Sequence, residues 1–396
     1  MPTNQLRNVI LLSFCQAIFI GGQTTIFFIG GLIGYELAPD KAFATLPVTT
    51  VILGTACMTI PASLFMGRFG RRTGFLAGAL IGVSGAIICS IAIANASFTL
   101  FCAGTFLIGF YNAFCQYYRF AVADAAPADK SARYVSWVLA GGVVAAFLGP
   151  QLALWTRDLI PEYTYLGSYF TILGLILVAM GLISFLRIPS LTAAEKAVQA
   201  RPIFQIISSK RFIAAAGCGM VAYAVMSLLM TATPLAMLSC NFIDADAGMV
   251  IQWHVVGMFA PSFFTGDLIN RFGLYRVMFV GVLLLAAAPL LDLQGIAFGN
   301  FLGALLLVGL GWNFVFIGAT TLLTKVYSPA ERAKTQAAND FLVFGATASA
   351  SFLSGALLHN YGWQVINYAA LPMVAIAGAL ILWAMLSERK VEVGSL

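Results

Sequence analysis

The sequence predicts an all-α membrane protein with twelve transmembrane helices in two pseudo-symmetric six-helix bundles. Three observations predict this class: an unusually apolar composition, apolar runs long enough to cross a bilayer, and an internal repeat. Of the 396 residues, 61% are hydrophobic and only 9% are charged, and the mean hydropathy is +0.93. Soluble domains carry roughly 25% charged residues, so the composition excludes a soluble globular protein.

Twelve apolar segments follow one another along the chain, each close to the ~20 residues that a helix needs to span a bilayer. They do not alternate between apolar and polar residues, which excludes the strands of a membrane barrel. The first run is too long for the apolar region of a signal peptide, so we expect it to remain as a span. The predicted segments cover residues 8–35, 43–66, 74–94, 97–123, 132–155, 164–187, 211–238, 247–268, 274–292, 296–326, 335–358 and 364–386.

The basic residues indicate how the chain is oriented in the membrane. Lys and Arg are concentrated in the links after the even-numbered segments, for example at Arg68 and Arg276, whereas the opposite loops carry mainly Asp and Glu. By the positive-inside rule, we expect a multi-pass protein with both termini in the cytoplasm. The net charge of +6 therefore reflects topology, and nucleic acid is not an expected partner.

An internal repeat relates the two halves of the chain. The stretch SLFMGRFGRR (63–72) aligns with GDLINRFGLYR (266–276), and LIGFYN with the following PADKSAR (107–133) resembles LVGLGWN with PAERAK (307–334). Parallel repeats of this kind place the substrate site near the bilayer midplane, between the halves. The predicted domains are an N-terminal bundle, a cytoplasmic linker and a C-terminal bundle at residues 1–190, 191–210 and 211–396.

The helix count, the repeat and one loop together resemble the major facilitator superfamily over the whole chain. The family's loop Gly-x-x-x-Asp-Arg-x-Gly-Arg-Arg is similar to residues 63–72, although Ser63 and Gly67 replace its Gly and Asp. The resemblance implies the major facilitator fold and transport by alternating access. It also implies a gating role for Arg68, Gly70, Arg71, Arg72, Arg271 and Gly273. The same arginines equally fit positive-inside determinants of topology.

Soft side chains cluster on the seventh and eighth segments. Met226 and Met230 are four residues apart, as are His254 and Met258, so each pair shares one face of a helix. An ionisable residue within a membrane helix marks a candidate functional site. Thioethers select Cu(I) among cations, and no carboxylate is close in the sequence. Two structural interpretations stay open: methionine as a filler of core gaps, and a histidine bonded to a backbone carbonyl.

This pattern resembles the CcoA-type copper importers, a bacterial branch of the superfamily, and matches it at Met226, Met230, His254 and Met258. The resemblance implies copper import across the inner membrane for assembly of a cbb3-type oxidase. Copper would be the cargo rather than a resident cofactor, and periplasmic or cytoplasmic copper chaperones would be partners of a lipid-embedded monomer. Further candidate donors are Cys218, Cys240 and Met237, with inert buried cysteine as the alternative.

The alternative function is an organic-solute carrier, either a riboflavin-type vitamin importer or a drug/proton antiporter. Aromatic side chains that could stack on a planar solute are Phe110, Tyr111, Tyr117, Tyr118, Trp253 and Trp312. Polar side chains that could line a cavity or join helices are Gln16, Gln23, Thr24, Thr25, Asn112, Gln116, Arg119 and Asn313. A third class is a non-transporting copper sensor or assembly partner. Because no P-loop or hydrolase motif occurs, we expect neither an enzyme nor a bound cofactor.

Overall fold

The computed structural model describes residues 2–118, 121, 131–188, 201–328 and 331–393. Fourteen α-helices and one short 3-10 helix, Lys41–Phe43, account for most of these residues. The N-terminal half contains α1 (Pro2–Leu37), α2 (Leu46–Phe69), α3 (Arg71–Ala94), α4 (Phe98–Cys115), α5 (Ser131–Thr156) and α6 (Leu166–Ser184). The remainder contains α7 (Ile203–Ile207), α8 (Lys210–Ser239), α9 (Asp244–Phe259), α10 (Ser262–Phe272), α11 (Leu274–Asp292), α12 (Phe298–Thr324), α13 (Arg332–Tyr361) and α14 (Trp363–Val393).

The helices occupy the twelve predicted segments in the predicted order. Within the described ranges, ten single helices are long and apolar enough to cross a membrane, and α9 with α10 forms one further span bent by 43°. The remaining segment corresponds to α5, whose part Gly141–Thr156 is a shorter apolar helix. The predicted all-α membrane class is therefore confirmed. The first half of the predicted linker, residues 191–200, lies outside the described residues.

The two halves repeat the same helix pairings. In the N-terminal half α2 packs on α4 and α3 on α6, and in the C-terminal half α9 packs on α12 and α11 on α14. A Cβ added at Gly109 would lie 2.2 Å from a backbone oxygen of α2, and one added at Gly309 would lie 2.4 Å from a backbone oxygen of α9. Glycine is thus required at both contacts, because only its lack of a Cβ lets the backbones approach so closely. These matched contacts confirm the pseudo-symmetry, while the exact domain limits stay a prediction.

Both Arg-Phe-Gly copies end a helix in the same way. Gly70 and Gly273 have φ of +87° and +92°, a region that side chains with a Cβ disfavour. Their N–H groups donate to the carbonyls of Met66 and Ile269 at 2.9 Å, and the next helix begins at the following residue. The glycines of the repeated motif are therefore explained by the turn that they make.

The halves contact each other on the side that carries the acidic loops. There, Thr49 Oγ1 donates to Ser351 Oγ at 3.1 Å. Arg157, just after α5, forms an ion pair with Asp244 at the start of α9, and the Tyr165 hydroxyl donates to the same carboxylate at 3.1 Å. These contacts join the two halves at one end of the space between the halves.

Candidate functional site

A cavity lies between the two halves near the middle of the spans. Its empty volume is about 1180 Å³, including the part that opens to solvent, and residues of α1, α2, α8, α9, α12 and α13 line it. Its lining is mainly apolar and aromatic with a few polar side chains, which is typical of sites for small organic molecules. No Asp, Glu, Lys, Arg or His of the described residues is among its lining side chains. The described lining is therefore uncharged.

One side of the cavity is an aromatic wall formed by Tyr223, Phe259, Trp312, Phe316 and Phe344 of the C-terminal half. Trp312 and Phe316 are four residues apart on α12, and their rings stack with centroids 4.9 Å apart and planes 18° apart. Tyr223 packs edge-on against both rings, at 5.1 and 5.0 Å. Phe344 adds a further edge contact to Tyr223 at 5.8 Å, and Phe259 lies 6.3 Å from Trp312. These mutual contacts fix the rings before any solute arrives.

The opposite side is a polar wall formed by Gln16, Gln23, Thr24, Thr55 and Gln116 of the N-terminal half. Thr24 donates to the carbonyl one turn earlier in its own helix at 2.8 Å. Thr55 donates to a carbonyl of α2 at 2.9 Å and to one of α4 at 3.1 Å. Both hydroxyl protons are thus engaged, so the N–H donors of this wall are the three glutamine amides. Amide oxygens also accept hydrogen bonds, so this wall can pair with a molecule that carries both donors and acceptors.

Three of the four predicted metal ligands lie in the cavity lining, and the fourth does not. Met226, Met230 and Met258 line the cavity. His254 is completely buried and is absent from the lining; its Nδ1 lies 2.8 Å from the carbonyl oxygen of Leu305 on α12. The carbonyl can only accept, so Nδ1 carries the proton in this contact. His254 therefore makes the backbone hydrogen bond that was one of the two structural interpretations of the sequence. The four-residue copper site stays a prediction.

The accessory donors also lie outside the cavity lining. Cys218 is buried against α14, with Sγ 3.9 Å from the Ala377 carbonyl oxygen. Met237 is fully buried, and Cys240 caps the end of α8. All seven cysteines are free. Across the described part of the chain, no group of three or more His, Cys, Asp or Glu side chains is arranged to hold a metal ion.

Sequence reasoning found only part of the lining. Of the six predicted aromatic residues, only Trp312 lines the cavity, and Trp253 is 41% exposed on the outside of the bundle. Arg119 lies outside the described residues. The predicted polar residues that do line the cavity are Gln16, Gln23, Thr24, Gln116 and Asn313. The aromatic residues that the prediction missed are Phe27, Tyr223, Phe259, Phe316 and Phe344. The spacing of Trp312 and Phe316 was a usable signal for one of them, because residues four apart share a helix face.

Asn313 holds the break between α9 and α10 in place. Pro261 precedes α10 and has no backbone N–H, so the helix ladder is interrupted there. The Asn313 amide donates to the Met258 carbonyl and to Ser262 Oγ, both at 2.7 Å. Thr265 Oγ1 donates to the Asn313 amide oxygen at 2.7 Å. This side chain is therefore a structural brace of the cavity wall as well as part of the lining.

The predicted gating residues lie at the opposite end of the spans from the acidic loops. The guanidinium groups of Arg68 and Arg271 each lie over the following phenylalanine ring, at 5.5 and 5.3 Å. This shared geometry is further evidence of the repeat. The gating role itself stays a prediction.

Comparisons with known proteins identify the relatives of the chain. The family model described as Major Facilitator Superfamily matches residues 12–242 and 215–395. The riboflavin transporter RfnT of Brucella anthropi is 45% identical over 372 residues, which cover 93% of this chain and 94% of that protein. Two uncharacterized MFS-type transporters of Bacillus subtilis, YddS and YdeG, are each 27% identical, covering 96% of this chain and 92% of their own lengths. The narrower resemblance to CcoA-type copper importers is therefore not supported.

Proposed function

The chain belongs to the major facilitator superfamily, and we propose that this membrane transporter imports a flat, uncharged organic solute of the riboflavin type. The observation that carries the proposal is the central cavity, which has an aromatic wall, a facing polar wall and no ionisable lining side chain among the described residues. The 45% identity to a riboflavin transporter over nearly the whole chain supports the same solute class.

The chemistry of a flavin fits the two walls. Its fused ring system is planar and can stack on Trp312 or Phe316, a contact worth roughly 1–3 kcal/mol by analogy with base–aromatic stacking. Its ring edge carries carbonyl and N–H groups, which the glutamine amides can match as donors and acceptors. Weak neutral contacts of this kind also allow release, which a transporter requires.

We place the chain in the bacterial inner membrane, with both termini in the cytoplasm, on the basis of the positive-inside rule. In this orientation the contacts of Thr49 with Ser351 and of Arg157 with Asp244 lie on the periplasmic side. The solute would enter when these contacts open and would leave toward the cytoplasm when they close. Alternating access by rocking of the two halves accounts for both steps.

Uptake in a bacterium that can neither make nor import riboflavin tests the proposal. Cells that express the chain should accumulate labelled riboflavin and grow at low external riboflavin, whereas cells with the empty vector should do neither. Membrane insertion is checked by immunodetection in the membrane fraction. Inserted protein that gives no flavin uptake in these cells would refute the proposal.

Copper import is the second candidate, and one observation favours it. The thioethers of Met226, Met230 and Met258 line a single cavity, and thioethers bind Cu(I). The position of His254 outside the lining weighs against the predicted four-ligand site. Labelled copper uptake, measured in the same cells at matched expression, separates the two candidates. Our proposal predicts copper accumulation no higher than in the empty-vector cells.

A further inference from the structure

Asn112 of α4 and Asn313 of α12 end the two repeated stretches and differ in their hydrogen bonding. Counted from the matched Gly109 and Gly309, Asn112 lies three residues further along its helix and Asn313 four, so the two side chains face different neighbours. The Asn313 side chain has three partners, as described above. The Asn112 side-chain Nδ2 has no hydrogen-bond partner among the described residues, although Asn112 is only 2% exposed.

The difference follows from the helix that each asparagine faces. In the C-terminal half the break between α9 and α10 frees a backbone carbonyl that Asn313 binds. Asn112 instead faces α1 and α6 across a small pocket, and no described carbonyl lies within hydrogen-bond distance of its Nδ2. A buried donor without a partner costs about 1–3 kcal/mol. Asn112 therefore retains an unused donor that a water molecule or a ligand group would satisfy.

The surroundings of Asn112 connect it to the central cavity. It lines a small side pocket between α1, α4 and α6, whose other walls are mainly aliphatic. Gln23 lines both this side pocket and the central cavity, so it stands at the junction of the two. The side pocket has room for about one water-sized or hydroxyl-sized group. A ring cannot enter it, but the end of a flexible chain can.

We propose that Asn112 and Gln23 form a subsite that binds a hydroxyl group on the flexible tail of the solute. This inference rests on the proposed function, because riboflavin carries a polyhydroxylated chain on its flat ring. With the ring on the aromatic wall of the C-terminal half, the chain reaches toward the N-terminal half. There, Asn112 Nδ2 donates to a hydroxyl oxygen and the Gln23 amide accepts the hydroxyl proton. The subsite thus selects flavins that have a hydroxylated tail over those that lack one.

Binding of two flavins to the purified full-length protein tests the subsite. Riboflavin is compared with lumiflavin, which has the same ring with a methyl group in place of the tail, by quenching of flavin fluorescence. In Asn112→Leu the Kd for riboflavin should rise about 3- to 10-fold, the loss of roughly one hydrogen bond. The Kd for lumiflavin should change less than about twofold, because it does not reach the subsite.

Two further variants keep the test decisive. Asn112→Ser retains a small hydroxyl donor and should keep part of the preference for riboflavin, in case Asn112→Leu does not fold. Asn95→Leu makes the same chemical change at the exposed end of α3 and should leave both Kd values unchanged.

Two outcomes for Asn112→Leu would overturn the inference. If the binding of both flavins weakened equally, the role of Asn112 would be purely structural. If the binding of neither weakened, the subsite would hold only water. Wild-type protein that binds neither flavin would instead overturn the proposed function, and this inference with it.

Discussion

The two walls of the central cavity differ in their balance of aromatic and polar side chains. The C-terminal half contributes five aromatic rings that contact one another and three thioethers, beside the polar Ser262, Asn313 and Thr347. The N-terminal half contributes three amides and two hydroxyls, beside the apolar Ile20, Phe27, Val51 and Ile52. The aromatic wall is fixed by stacking and edge contacts that exist without a solute. The polar wall offers donors and acceptors on longer side chains. From this difference we expect the C-terminal half to provide most of the affinity for the solute. We expect the N-terminal half to set the orientation and selectivity of binding.

The largest effect should come from removal of the central ring of the aromatic wall. In Trp312→Ala the apparent KM for riboflavin uptake should rise about 10- to 100-fold, because a stacking contact worth roughly 1–3 kcal/mol is lost. The measurement is initial uptake rate against riboflavin concentration. Trp253→Ala, outside the cavity, is the matched control and should behave as wild type. An unchanged KM in Trp312→Ala would show that the aromatic wall does not contribute to riboflavin binding.

A smaller effect is expected on the polar wall. Gln116→Leu should raise the KM for riboflavin about 3- to 10-fold, because one neutral hydrogen bond is worth about 0.5–1.5 kcal/mol. The control is Gln205→Leu, the same change at an exposed position on α7. A loss as large as that of Trp312→Ala would mean that the polar wall, rather than the aromatic wall, dominates affinity.

Methionine substitution distinguishes flavin from copper at the same cavity. Met226→Leu conserves volume and apolar character, a change that usually costs less than about 1.5 kcal/mol. That cost falls on folding stability; because leucine keeps the apolar contact with a flavin, riboflavin uptake should fall by less than about threefold. A carrier that binds Cu(I) through thioethers would lose copper uptake in the same variant. If wild type took up copper and Met226→Leu did not, copper import through the thioethers would be supported and the proposed flavin transport contradicted.

The smallest effect should be that of pH on binding. No Asp, Glu, Lys, Arg or His of the described residues lines the cavity, so no lining side chain is expected to change charge between about pH 5.5 and 8. The Kd for riboflavin, measured by fluorescence quenching in detergent, should vary less than about twofold over this range. A tenfold change with pH would show that an ionisable group takes part in binding.

The fold could be predicted from the sequence because each of its elements has a local sequence pattern. Apolar runs of membrane length predict the spans, and the repeated Arg-Phe-Gly motif predicts the pseudo-symmetry that Gly70 and Gly273 show in their turns. Met226, Met230 and Met258, which the sequence grouped on two helix faces, all line the cavity, and their role as metal ligands stays a prediction. Such features depend on spacing within one helix or on direct comparison of two stretches.

The rest of the site depends on how helices meet, which spacing does not reveal. His254 shares a helix face with Met258 by sequence spacing, yet it binds the Leu305 carbonyl of α12. The close approach of α12 at Gly309 brings that carbonyl within reach. The aromatic wall combines rings from α8, α9, α12 and α13, and no local pattern joins Tyr223 to Trp312. The composition of the cavity therefore emerges only from the packed structure.

A structure of the protein with bound riboflavin tests the central claim most directly. The account predicts the flavin ring stacked on Trp312 or Phe316, with its edge toward the glutamine amides of the N-terminal half. A ring bound elsewhere, or a metal ion held by Met226, Met230 and a reoriented His254 in place of the flavin, would contradict it.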